Sequence, residues 1–285
     1  MARMLTSRNP ASGKAAPGNE ASGNLVAFPR ADLRRLLGAA MKRHRLPEEL
    51  AQNLVRDAAN FPEVSADAAL AMALAQRLVP TPIDLQQARG ILLVGPCGSG
   101  KSTVAAKIAR SAGLIGRKTE LARADGGLAL FRARSVRASG SDIHSVRDSG
   151  SDNKTRSVRA SGSDSETDSN PPELLTVMEA DGFNPLNPRA ACAFSALGDI
   201  EGVETIGVVS ALNDAEDVGD IVTAFRFRRV IVTGLDRTRR LGAVLAASLS
   251  GARLAHVTYG PRPEDALEML EPGALAAQLL ERSSH

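Results

Sequence analysis

The sequence predicts an α/β fold in which a mostly parallel sheet, covered by helices on both faces, is preceded by a small helical unit. Three observations carry this expectation. Short apolar, β-branched segments at 90–94, 119–124, 174–179, 205–210, 229–233 and 255–259 alternate with helical patterns, the order expected of strands joined by crossover helices. Residues 30–85 show helical periodicity without strand alternation. Between the first strand and the next helix stands a glycine-rich turn ending in Lys101-Ser102, which makes the sheet's first connection a phosphate-binding loop.

Each element follows from local chemistry. Residues 1–29 are rich in Ser, Gly, Pro, Asn and Ala without periodicity and read as a disordered, mildly basic tail. Leu33, Leu36, Leu37, Ala40 and Met41 then recur at helical spacing. Leu46-Pro47-Glu48-Glu49 opens a second helix, with proline and acids in its first turn and Leu50, Leu54 and Ala58 along one face. A third begins at Ser65, with Asp67 in its first turn, and stops before Pro80. These three form a helical N domain over 30–85, and the remainder, 86–285, is read as one nucleotide-binding domain. A long interruption divides that domain at about 133–172. Residues 135–142 read SVRASGSD, 145–152 SVRDSGSD and 157–164 SVRASGSD, a repeat with almost nothing to bury. A solvated linker, a regulatory segment with serines phosphorylated beside arginines, and a disrupted reading frame are all compatible with it.

Composition sets outer limits. The 285 residues are 43% hydrophobic and include no Trp, one Tyr and seven Phe, so the core must be built of Ala, Leu, Val and Ile. That argues against modules that stack bases on aromatic rings. A net charge of +3 is too small for a dedicated nucleic-acid binder, so no nucleic-acid partner is expected. Cys97 and Cys192 match no metal-ligand spacing or disulfide framework, which suits a cytoplasmic setting. The apolar runs 91–94 and 241–249 are too short to span a bilayer, so any membrane contact is expected to be peripheral. His44, His144, His256 and His285 share no spacing and read as satisfied or exposed side chains. The cluster Lys42-Arg43-His44-Arg45 could meet anionic lipid or form a solvated helix face.

The strongest signal is Gly95-Pro96-Cys97-Gly98-Ser99-Gly100-Lys101-Ser102, a full G-x-x-x-x-G-K-[ST] match directly after a strand and before a helix. Glycines let backbone N–H groups converge on phosphate oxygens, and the following helix turns its positive dipole end toward them. Lys101 would neutralise the β- and γ-phosphates, while Ser102, with Thr103 beside it, would offer Mg²⁺ a hydroxyl. Cys97 reads as a small space-filler.

The distal residues choose among nucleotides. Val230-Ile231-Val232-Thr233-Gly234-Leu235-Asp236 is a strand running into T-x-L-D, with Gly242 shortly after. Here the chain resembles the signal-recognition-particle family of GTPases. The segment Leu46-Pro47-x-x-Leu50 is similar to that family's N domain, the run from Gly98 to Ala109 to its extended P-loop helix, and Gly260-x-x-x-x-Asp265-x-Leu267 to its closing loop. With six Met, no methionine-rich domain after the last strand and no acidic N-terminal extension, the chain is most like the flagellar branch. The resemblance implies GTP and Mg²⁺ as ligands and a dimer, homotypic or heterotypic, of N and G domains. It also implies flagellar or targeting proteins as partners at the cytoplasmic membrane. Asp236 would read guanine N1–H and N2, because a carboxylate only accepts. Gly242 and Gly260 would let the backbone approach the base, and Asp265 would start a helix or orient a loop and not act as a ligand.

Three departures accompany the matches. The family's D-T-A-G becomes Glu179-Ala180-Asp181-Gly182, leaving Glu179 to complete the Mg²⁺ shell with Ser102, or Asp181 to substitute. Gly234 replaces the Lys or Arg that packs over the base. The D-T-x-R motif becomes Asp125-Gly126-Gly127, so Asp125 stands at the catalytic position without its arginine, and neither Arg123 nor Arg132 is assigned that role. The resulting expectation is an intact phosphate cradle with weak hydrolysis. A degenerate scaffold and a P-loop ATPase or kinase of other ancestry remain alternatives.

Overall fold

The computed structural model describes residues 30–61, 65–124, 174–185, 187 and 200–281. The tail at 1–29, the repeat, Asp125, Arg132, Cys192, His144 and His285 lie outside the described residues.

Three helices come first: α1 (Arg30–Arg43), α2 (Glu48–Ala58) and α3 (Ala66–Arg77). α1 buries Leu33, Leu37, Ala40 and Met41, spaced one turn apart so that they share a face. Complete burial of a leucine contributes about 1.5–3 kcal/mol, so this stripe fixes the helix against its neighbours. Pro47 precedes the first turn of α2, where Glu48 and Glu49 favour the helix dipole. α3 starts after Ser65 and packs through Ala69, Leu70, Ala73 and Leu74.

The strands are β1 (Gly90–Val94), β2 (Lys118–Arg123), β3 (Leu174–Glu179), β4 (Val203–Ser210), β5 (Arg229–Thr233), β6 (Arg253–Thr258) and β7 (Leu267–Glu268). They form one sheet in the order β2-β3-β1-β4-β5-β6-β7. All pairs are parallel except β6 with β7. Every residue of β1 is buried, as a strand covered on both faces must be. The helices α4 (Lys101–Leu114), α5 (Ala215–Phe225), α6 (Gly242–Leu249) and α7 (Pro272–Leu280) complete the described elements.

Alternation along each strand sorts two cores. Ile91, Leu93, Val177, Val208 and Ile231 meet Val104, Ala105, Ile108 and Ala112 of α4 on one face. Leu92, Val94, Met178, Val209 and Val232 meet α5, α6 and the N-terminal helices on the other. The α/β architecture is therefore the expected one. One packing relation crosses the chain from end to end: α7 lies along α3, and Leu275, Ala276 and Leu279 bury within the same cluster as Leu70 and Leu74. The basic cluster is only partly solvated. The Arg43 guanidinium donates to Leu279 O at 2.8 Å, whereas His44 is 5% exposed. Its Nδ1 accepts from Leu241 N–H at 3.2 Å, so Nε2 carries the proton and donates to Leu279 O at 3.1 Å.

Candidate functional site

In the sheet order, β1 has β3 on one side and β4 on the other, so its carboxyl end opens at the point where successive connections run to opposite edges, the usual ligand crevice of such sheets. The loop 95–100 occupies that point. A β-carbon at Gly95 would lie 2.1 Å from Val208 O on β4, so only glycine fits. Pro96 bridges to Phe183, and Cys97 N–H donates to Phe183 O at 3.3 Å, holding the loop against the segment after β3. Gly98 and Gly100 have φ of +75° and +91°, a left-handed backbone that favours glycine; α4 begins directly after, at Lys101.

The chemical groups converge here. Lys101, 9% exposed, donates from Nζ to Gly95 O and Pro96 O, both at 2.9 Å. Burial lowers its pKa, and the proximity of Cys97 and Glu179 opposes that shift. Ser102 Oγ donates to Glu179 Oε2 at 2.6 Å, joining the first turn of α4 to the end of β3. Thr103 is half-buried beside them, and Ser99 Oγ is buried with no hydrogen-bond partner. Cys97 is exposed and so is not the space-filler expected from its size. Gly182 passes directly over it, where an added β-carbon would lie 2.6 Å from Sγ and 2.9 Å from the Cys97 Cα.

The second half of the crevice lies at the ends of β5 and β6. Thr233 Oγ1 donates to Ser99 O at 2.7 Å, tying the T-x-L-D strand to the phosphate loop. Gly234, read as a missing cation, has φ of +75° and starts the single turn Leu235–Arg237; a lysine or arginine there would be strained. Asp236 in that turn is exposed, and no hydrogen bond engages its carboxylate among the described residues. In the closing loop, Gly260 has φ of +80°, and a β-carbon there would lie 2.3 Å from Asp265 Oδ2. That oxygen accepts from Arg262 N–H at 3.0 Å, so Asp265 orients the loop as expected. Gly242 packs against the N-terminal helical unit. A β-carbon on it would lie 2.3 Å from His44 O and 2.8 Å from Arg45 O, so its bare Cα admits the backbone that follows α1.

Two features escaped the sequence reading. Lys107 is 1% exposed on the inner face of α4, and its Nζ donates to Arg262 O at 2.7 Å and to Asp265 O. A lysine flanked by Val104, Ala105 and Ile108 was the available signal, since a buried ammonium demands acceptors. Arg123 and Asp181 form an exposed ion pair. Glu179 is the carboxylate that reaches Ser102. Among the described residues, no group of His, Cys, Asp and Glu forms a separate metal centre.

No protein-family model matches the sequence, and no curated protein matches it. Solved structures do. The fold is similar to that of FlhF complexed with GTP/Mg(2+), at a TM-score of 0.57 and 19% identity over 87% of this chain and 99% of that one. FlhF complexed with GMPPNP/Mg(2+) gives a TM-score of 0.58 and 17% identity over 88% and 100%. The cell division protein FtsY from Thermotoga maritima gives 0.54 and 18% over 87% and 88%. The chain thus has the fold of these signal-recognition-particle-type GTPases.

Proposed function

We propose that the chain is a nucleotide-dependent switch of the signal-recognition-particle GTPase type, binding GTP with Mg²⁺ and hydrolysing it weakly. The carrying observation is the 2.6 Å hydrogen bond from Ser102 Oγ to Glu179 Oε2 beside the Lys101 ammonium. Hard oxygen donors set next to a phosphate loop are the donor set Mg²⁺ takes, and the orphaned Ser99 Oγ is a further polar group suited to a ligand there. When bound, Mg²⁺ neutralises charge between the β- and γ-phosphates. The chain supplies Gly95 to Gly100 for backbone contact, Lys101 for charge, and Ser102 and Glu179 for the ion.

Guanine is favoured over adenine by Asp236. Its carboxylate accepts only, which matches the adjacent N1–H and N2 donors of guanine, where adenine has an acceptor at N1 and only C–H at C2. The coupling of Thr233 to Ser99 gives base recognition a direct route to the phosphate loop. Weak hydrolysis rests on Gly126-Gly127 following Asp125, where the family carries a charge-stabilising arginine. Pairing through the N and G domains, and a role in targeting or flagellar assembly at the cytoplasmic membrane, follow from the FlhF and FtsY likeness and belong to the same proposal. No described helix is long and apolar enough to cross a membrane.

Titration with fluorescent GTP and ATP tests this reading. Binding should be GTP-selective, lost in Lys101→Ala, and at least about a hundredfold less selective in Asp236→Asn. Equal affinity for ATP would point to an ATPase or kinase. Failure to bind either nucleotide would leave a scaffold.

A further inference from the structure

Resting on the nucleotide reading above, we infer that Arg123 is exchanged between two anions: Asp181 before nucleotide binds, and the terminal phosphate of a bound triphosphate afterwards. Arg123 ends β2 and Glu179 ends β3, and the two are register partners in the sheet. Adjacent strands lie about 4.8 Å apart, so Arg123 stands one strand beyond the carboxylate that holds Ser102. Asp181 follows two residues after Glu179 and immediately precedes Gly182, which lies on Cys97 of the phosphate loop. The Arg123–Asp181 pair therefore sits on the rim of the cradle. It is also the cation whose charge reaches the Lys101 ammonium and opposes its protonation.

Energetics favour exchange. The two side chains are 67% and 83% exposed, and an ion pair so solvated contributes about 0–1 kcal/mol. A phosphate offers an arginine two parallel charge-assisted hydrogen bonds at higher charge. Lys101 is a point charge already turned toward Gly95 O and Pro96 O. Arg123 is the second cation placed to recognise what a triphosphate has and a diphosphate lacks, at a position other than the one where Gly126 and Gly127 replace the family's arginine. Asp181 holds it there without committing it.

Affinities for a non-hydrolysable GTP analogue and for GDP, measured by calorimetry, test the exchange in the full chain. Arg123→Ala should weaken the analogue about tenfold and leave GDP unchanged, with Arg123→Lys intermediate. Asp181→Asn should strengthen the analogue severalfold by releasing the guanidinium. Because both side chains are exposed, the variants should unfold at the wild-type temperature. Equal effects on analogue and GDP, no effect on either, or weakening by Asp181→Asn would overturn the exchange while leaving nucleotide binding standing. Wild-type protein that binds neither ligand would overturn both.

Discussion

A β-carbon at position 182 would lie 2.9 Å from the Cys97 Cα, and the backbone on both sides is already paired through Phe183 O and Cys97 N–H. Gly182→Ala should therefore displace the phosphate loop. We expect a destabilisation of about 1–3 kcal/mol in thermal or urea unfolding, together with loss of nucleotide affinity. His44 is the second residue whose environment dictates a measurable response. Burial, together with the neighbouring charge of Arg43, holds its pKa below the ordinary value despite the Leu279 carbonyl. The native state needs the neutral ring, because Nδ1 must accept from Leu241 N–H. The unfolded chain binds the proton more readily, so this contribution is complete above the ordinary histidine pKa of about 6.5 and declines as pH falls below it. In His44→Gln the decline between pH 7 and 5 should flatten, as followed by urea midpoints.

Among the elements, α4 works at both ends of the crevice. Its first turn carries Lys101 and Ser102, and two turns later Lys107 holds the carbonyls of Arg262 and Asp265. Lys107→Met keeps the stem but leaves those carbonyls without their donor. The expected cost is about 1–3 kcal/mol, with faster amide exchange over 260–268 while β1 and β3 stay protected. How far such features could be read in advance depended on the range of the interaction. The strands β1, β3 and β5 matched their expected spans because their signals are local: apolar runs bounded by turn residues. The loop 95–102 was equally plain, since its function requires residue types at fixed spacing. The carboxylate opposite Ser102 lies 77 positions away, so sequence alone leaves Glu179 and Asp181 as rivals, and it is the hydrogen bond from Ser102 to Glu179 that tells them apart. The backbone roles of Gly234 and Gly242 were illegible for the same reason. A positive φ and the approach of His44 O are facts of three-dimensional placement that leave no periodic trace.

At the scale of the whole molecule, the N-terminal helices are not an appendage. Leu279 is fully buried, and its carbonyl receives both Arg43, the last residue of α1, and His44, which follows it. Gly242 of α6 lies against the same corner. Leu279→Ala should cost about 2–5 kcal/mol, and probes on α1 and on the sheet should lose structure in one transition. Separate transitions would show that the two parts fold independently. The pairing of α3 with α7 also sets an order of events during synthesis. Arg77 and Pro272 are 195 positions apart, an interval that takes roughly 10–40 s to translate at ordinary rates. Throughout that time Leu70, Ala73 and Leu74 leave the ribosome without the helix that will cover them, so the nascent chain presents an apolar face that chaperones can engage before the last turn of the protein is made.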